Sequence, residues 1–343
     1  MRVAVVGAGV IGVTSALAVA KAFPDLEVTV FSEKLSPETT GDGSAGLWGP
    51  YLLGNTSAEY IQKWAADTHR WLEELWTAGL AAETGVSLLP VYRFTKYSEE
   101  SIGNPIWFDL VYGARKLADQ DLCRMNEEHK TNYKAGWQFL TYTSEPVRLL
   151  PWLMNQLSAT GGTINKKKIR DFGELIDDGY NFIINCTGLG AAELVKNDPV
   201  RPLRGQVSRV KAPWAMHAYL IDDDDGNYII PNIDSVVLGG THQENDFDCT
   251  VREEDSNFIH DGCSKIIPAL QNVELIGEWV GLRPGRPEVR LESAVHRTLG
   301  GKEITIIHNY GHGGSGVTLS WGCALHVVEI LRSLRNHDLN SKL

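Results

Sequence analysis

Cysteine is scarce and poorly placed for cross-linking. Cys123, Cys186, Cys249, Cys263 and Cys323 are an odd number, widely scattered, with no C-x-x-C pair. Such spacing offers neither a disulfide framework nor a zinc site, and it fits a reducing setting. Positive charge is also short: 32 Lys and Arg against 43 Asp and Glu leave a formal net charge of -11. That balance argues against nucleic acid or an anionic membrane surface as the main partner. No apolar run is expected to reach the length of about eighteen residues that a membrane span needs, and there is no internal repeat or low-complexity linker. The opening MRVAVVGAGVIGVTSALAVAKAF has the early charge and apolar body of a secretory signal. Its glycine spacing favours a strand and loop, so no signal peptide is expected. At 343 residues the chain is long enough for a large core and about two domains. Glycine is plentiful, and it is dense at two distant places.

The first place is VVGAGVIG, residues 5 to 12. A β-branched run, Arg2 to Val6, leads into Gly7, Ala8, Gly9, Val10, Ile11 and Gly12, and an alanine-rich helix then runs to about Phe23, stopped by Pro24. Glu27 to Phe31 supply a second strand, ending at Glu33. This is the order of a dinucleotide-binding βαβ unit. The first glycine allows the tight turn, the second lets backbone approach a pyrophosphate, and the third lets helix pack on strand. Glu33, about twenty residues past the last glycine, is placed to accept from ribose hydroxyls.

Further on, Ser57 to Leu80 predicts a helix, with Tyr60, Ile61, Trp64, Thr68, Trp71, Leu72, Leu75 and Trp76 recurring at three- and four-residue spacing, a pattern best explained by core packing. Pro146 to Ser158 predicts another, stopped by Gly161-Gly162, and NFIIN at 181 to 185 reads as a buried strand feeding CTGLG. From 203 to 242 the runs GQVSRV, AYLI, YIIP and SVVLGG read as antiparallel strands of a second domain. The DDDDGN stretch at 222 to 227 reads as a solvated turn. After Gly316 an amphipathic helix is expected to about Leu334, with Trp321, Ala324, Leu325, Val328, Leu331 and Leu334 on one face. The predicted architecture is α/β. A Rossmann-like nucleotide domain built from 1–50, 145–195 and 290–343 interleaves with an antiparallel substrate domain built from 51–144 and 196–289.

The second glycine cluster, HGGSG at 312 to 316, directly precedes that last helix. Its backbone N–H groups and the helix dipole form a positive end, suited to a flavin whose reduced form carries negative charge. Taken with VAVVGAGVIG, AGLWGPY, NCTGLG, RGQV, APW, YIIP, LGG and GLRPGRPEVRLE, the stretch IIHNYGHGGSGVTLSWGCA resembles the D-amino-acid oxidase family, which includes D-aspartate oxidase, over almost the whole chain. The resemblance implies FAD, held by the first loop and by Glu33, Thr39, Thr40, Ala45, Gly46, Leu47, Ile164, Thr187, Gly188, Arg283, Gly313, Gly314, Ser315, Gly316, Val317 and Thr318. It implies oxidation of D-amino acids by oxygen to 2-oxo acids, ammonia and hydrogen peroxide, with no catalytic acid or base and no metal. His308 and His312 are then structural. The chain closes in Ser341-Lys342-Leu343, the peroxisomal address, so a peroxisomal matrix location and an import receptor as partner are expected; a homodimer is compatible with the family.

By the same resemblance Arg283 in GLRP grips the substrate carboxylate with its planar fork. Tyr228 in YIIP donates its hydroxyl to the same group, and the Gly314 carbonyl accepts from the amine. Leu47, Leu220, Ile230 and Gly314 are similar to the branch acting on neutral D-amino acids. The acidic branch has arginine, tyrosine and serine at the last three positions. His242 stands where the acidic branch has arginine. Gly49 replaces a glutamine, and the short 221–227 segment lacks the neutral branch's lid tyrosine. The expected activity is oxidation of neutral D-amino acids, with D-aspartate oxidase as the alternative. A nicotinamide-dependent dehydrogenase, or a flavoprotein serving only as a binding module, is the more distant rival.

Overall fold

The computed structural model describes residues 1–98, 104–223, 226–301 and 303–340, with only the backbone described for 337–340. Ser341-Lys342-Leu343 and the middle of the acidic turn, Asp224 and Asp225, lie outside the described residues. The strands, in chain order, are β1 (Arg2–Val6), β2 (Glu27–Ser32), β3 (Val86–Thr95), β4 (Tyr112–Lys116), β5 (Ala135–Ser144), β6 (Thr163–Lys166), β7 (Phe182–Asn185), β8 (Arg201–Lys211), β9 (Ala218–Ile221), β10 (Tyr228–Pro231), β11 (Val236–Gly239), β12 (Gln243–Glu244), β13 (Glu274–Gly285), β14 (Arg290–Arg297) and β15 (Glu303–Tyr310).

They form two sheets. The first runs β14-β15-β7-β1-β2-β6 and is parallel apart from its β14 edge. The second runs β12-β8-β11-β10-β9-β3-β5-β4, with β13 also paired to β8. It is antiparallel except where β3 meets β9. β13 and β14 are consecutive in the chain yet belong to different sheets, so the segment between them joins the two layers.

Helices α1 (Val10–Ala22), α2 (Ala58–Thr77), α3 (Pro146–Ala159) and α4 (Gly316–Asn340) cover the parallel sheet and join it to the second. α1 is buried on nearly every face, because β1 lies beneath it and α3 and α4 flank it. In α2 the expected stripe packs inward through Ile61, Trp64, Thr68, Trp71, Leu72 and Leu75. Tyr60 and Trp76 depart from it: both are exposed, and Tyr60 stacks flat on Trp64. α4 buries Leu319, Cys323, Ala324, Val327 and Leu331 completely, while the expected Trp321, Leu325 and Leu334 are only partly covered.

By length and hydropathy alone, residues 316–336 are long and apolar enough to span a membrane, contrary to the reading of short apolar runs. The reason is packing, since this helix lies against both α1 and α2 in the core. All five cysteines are free thiols, and Cys186, Cys263 and Cys323 are buried.

Candidate active site

Between the two sheets lies a cavity of about 530 Å³. Two helix N-termini reach it. Gly7, Ala8, Gly9, Val10 and Ile11 bring the start of α1; Gly313, Gly314, Gly316, Val317 and Thr318 bring the start of α4. Thr39, Thr40, Ala45, Gly46 and Leu47 line the wall beside α1, and Thr187 and Gly188, just past β7, line another. Two positive dipole ends in one cavity suit a ligand with more than one electron-rich group.

The glycines divide by role. A Cβ on Gly7, whose φ is +110°, would stand 2.3 Å from the Cys186 carbonyl oxygen, and one on Gly12 would stand 1.9 Å from the Gly7 carbonyl oxygen. Those two positions are closed by the protein's own backbone. A Cβ on Gly9 or Gly49 would meet nothing within 4 Å, although both residues line the cavity. Their bareness is explained by a ligand that approaches backbone there. The Nε2 atom of His312, also on the wall, is buried with no hydrogen-bond partner among the described residues. The site therefore fits a bound dinucleotide.

Four expected cofactor residues do not line the cavity. Gly12 packs against the Gly7 carbonyl and the Cys186 side chain. Glu33 pairs with Lys168 at 3.3 Å, and the cavity wall near it is made instead by Ser32, Lys34 and Glu38. Ile164 lies in β6 opposite Val30. Ser315 is fully buried; its hydroxyl donates to the Tyr51 carbonyl and accepts from the Tyr51 N–H, each at 2.7 Å, and its own N–H is spent on the His312 carbonyl.

The opposite wall draws Arg93, Leu220, Tyr228, Val207 and Trp279 from one register row of the second sheet. Trp137 of β5 is opposite Arg93 of β3, Arg93 is beside Leu220 of β9, and Leu220 is opposite Tyr228 of β10. The row continues through Gly239 and Val207 to Trp279 of β13. Two residues along β10, Ile230 extends the apolar floor.

Arg283 and Tyr228 sit in seats that glycine leaves open. A Cβ on Gly205 would fall 2.3 Å from an Arg283 guanidinium nitrogen, and a Cβ on Gly239 would fall 2.0 Å from the Tyr228 ring. Arg283 Nη1 donates to the Thr241 carbonyl at 2.8 Å, which fixes the fork. Burial raises the Tyr228 hydroxyl above the ordinary phenol value, while neighbouring Arg283 pulls it down; the hydroxyl stays protonated near neutral pH and can donate. Tyr51, also on the wall, packs against Gly314 and is likewise raised by burial. His242 lies at the margin of the cavity and is exposed. Burial drives His308 and His312 down to about 3, so both are neutral. His308 Nδ1 is 3.2 Å from the Asn185 amide.

Sequence reasoning missed Tyr51, Arg93, Asp222 and Trp279, all of which line the cavity. It quoted RGQV and LGG without a role; Gly205 and Gly239 turn out to be the seats of the arginine and the tyrosine.

The family profile described as DAO, FAD dependent oxidoreductase, matches residues 2–330. The chain is 35% identical over 339 residues to a D-amino acid oxidase of Dugesia ryukyuensis, covering 97% of this chain and 98% of that one. It is 34% identical over 331 residues to the D-aspartate oxidase of Homo sapiens, covering 96% and 94%. In architecture it is similar to the glycine oxidase of Geobacillus kaustophilus, with TM-score 0.79, 18% identity and coverage of 97% and 95%. The glycine-lined cavity and these full-length matches agree: the chain belongs to the D-amino-acid oxidase family of FAD-dependent oxidoreductases.

Proposed function

We propose that the protein oxidises neutral D-amino acids with oxygen, producing 2-oxo acids, ammonia and hydrogen peroxide. The observation that carries this reading is Arg283 and Tyr228 lying together in glycine seats, across one cavity from two helix N-termini. The residues fitted to hold FAD are Gly7 to Ile11, Thr39, Thr40 and Ala45 to Leu47 beside α1, with Gly313, Gly314 and Gly316 to Thr318 at α4. FAD held there would supply the two-electron oxidising power for the substrate Cα–H bond, with oxygen as the final acceptor.

The chain's own residues do the positioning. Arg283, held by Thr241, presents two parallel donors to the substrate carboxylate, and the Tyr228 hydroxyl adds a third. The Gly314 carbonyl accepts from the amine. With carboxylate and amine fixed, D and L isomers differ in whether hydrogen or side chain points at the oxidant, so the arrangement selects one hand. The side chain of the accepted isomer lies over Leu220 and Ile230. A second carboxylate on that apolar floor would lose hydration without a free cation to replace it. His242 stands exposed at the margin of the cavity, away from this floor.

The test is anaerobic bleaching of the flavin, with peroxide release in air, over D-alanine, D-methionine, D-phenylalanine, D-aspartate and their L isomers. Neutral D-amino acids should lead and L isomers should be inert. Arg283→Leu should keep its flavin and lose roughly a thousandfold in kcat/KM, about 4 kcal/mol of transition-state binding. D-aspartate leading at pH 8 would overturn the neutral assignment, and an Arg283→Leu enzyme within a few-fold of the parent would overturn the role of Arg283.

A further inference from the structure

Past Leu220, the register row on the cavity wall ends in a charge pair. Arg93 is the β3 neighbour of Leu220, and Leu220 is the β9 neighbour of Tyr228. The arginine is thus two strand spacings, about 10 Å, from the tyrosine. All three line the cavity. The guanidinium lies 5.7 Å from the centres of both the Trp107 and Trp137 rings. Its Nη2 donates to the Asp222 carboxylate in a close ion pair. Its Nη1 is buried and has no hydrogen-bond partner among the described residues.

Asp222 is itself fixed, because its N–H donates to the Phe94 carbonyl at 2.7 Å. The next acid, Asp223, is engaged elsewhere. It accepts from the Lys96 N–H at 2.8 Å and the Thr95 hydroxyl at 3.1 Å, and it pairs with the Lys96 ammonium at 3.4 Å. Asp222 therefore stands as the counter-ion of Arg93.

A guanidinium framed by aromatic rings, with one prong unused, is built to receive a carboxylate. Here its charge is already cancelled. A neutral side chain crossing Leu220 meets a compensated pair, whereas a carboxylate meets the like charge of Asp222 beside the cation it would seek.

We propose that Asp222 is a specificity-determining residue that withholds Arg93 from acidic side chains, and that Arg93 is a latent carboxylate receptor. The pair, as well as the apolar floor, then sets the preference for neutral D-amino acids. This inference rests on the oxidase reading above.

D-glutamate and D-glutamine make the cleanest probe, since they are alike in shape and differ in charge. The quantity to read is the ratio of their kcat/KM values at pH 8, in enzyme whose flavin absorbance shows an intact site. Asp222→Asn should raise the D-glutamate to D-glutamine ratio at least fivefold. Adding Arg93→Gln should return it to within about twofold of the parent, and Arg93→Gln alone should lower it. Asp222→Ser replaces Asp222→Asn if that variant does not hold flavin. A rise below fivefold, or a rise that survives Arg93→Gln, overturns the inference while leaving the oxidase reading standing. Failure of every D-amino acid to reduce the parent flavin overturns both.

Discussion

Glycine does two different jobs within six residues of this chain, and the difference can be measured. At Gly12 the missing side chain is required by the protein itself, since a Cβ would stand 1.9 Å from a backbone oxygen. At Gly9 the protein alone leaves the space empty. Gly12→Val should therefore disrupt the fold and yield little soluble protein. Gly9→Val should fold with near-parental stability as apoprotein but bind FAD at least tenfold more weakly; flavin titration of the two apoproteins, with thermal melts, separates these outcomes. Equal loss of folding in both would show that Gly9 also has a packing role. The same scale shows which parts of the site were legible. Gly7, Gly9 and Gly12 announce themselves by spacing, and Arg283 and Tyr228 stand in recognisable short motifs. Glu33 was placed by spacing alone, and its ion-pair partner Lys168 comes from a distant loop that spacing does not bring to it. Arg93 was invisible, because its place beside Leu220 depends on the parallel pairing of β3 with β9, strands far apart in the chain.

Helices α2 and α4 cross where one of them has no side chain. A Cβ on Gly322 would lie 2.2 Å from the Trp64 carbonyl oxygen, and the Gly322 N–H donates to the Thr68 hydroxyl at 3.0 Å. On either side the contact is aromatic: Trp71 stacks on Trp321 at 4.9 Å, and the Trp64 indole N–H donates to His326 Nδ1 at 3.1 Å. Gly322→Ala should push the helices apart and cost about 1–3 kcal/mol, read as a lower denaturant midpoint. The start of α4 frames the cavity, so flavin affinity should fall with it. A neutral effect on both would mean that the crossing relaxes without strain. At this scale the periodicity in α2 and the β-branched runs of β1, β2 and β7 were readable. β3, β4 and β5 were not, since their pairing partners set them more than their own alternation does.

For the molecule as a whole, buried histidines tie stability to pH. His308 and His312 are almost completely buried and are held at about 3, with burial as the leading cause. Unfolded, each would titrate near 6.5. Between those values the unfolded chain binds protons that the folded chain refuses, so their contribution is complete above about pH 6.5 and is lost as pH falls toward 3. His69, His129, His296 and His326 are shifted in the same direction. Glu145, raised by burial, opposes them. Urea unfolding at pH 5 should show a stability lower than at pH 7.5 by about 2 kcal/mol for each of His308 and His312. His312→Asn should flatten that dependence. An unchanged slope in this variant would show that His312 titrates normally.

The pairing of first and last elements bears on how the protein is made. α1, within the first 22 residues, packs on α4, which begins at Gly316, and strand β15 takes its place beside β7 only after residue 303. A ribosome that has released the opening βαβ unit has still to synthesise the surfaces that cover it. Until then the side of α1 that α4 covers stays open to solvent and to chaperones. Because the cavity needs both helix starts, a chain interrupted before α4 lacks half of the anion-binding frame. Retained flavin colour thus distinguishes finished molecules from abandoned ones.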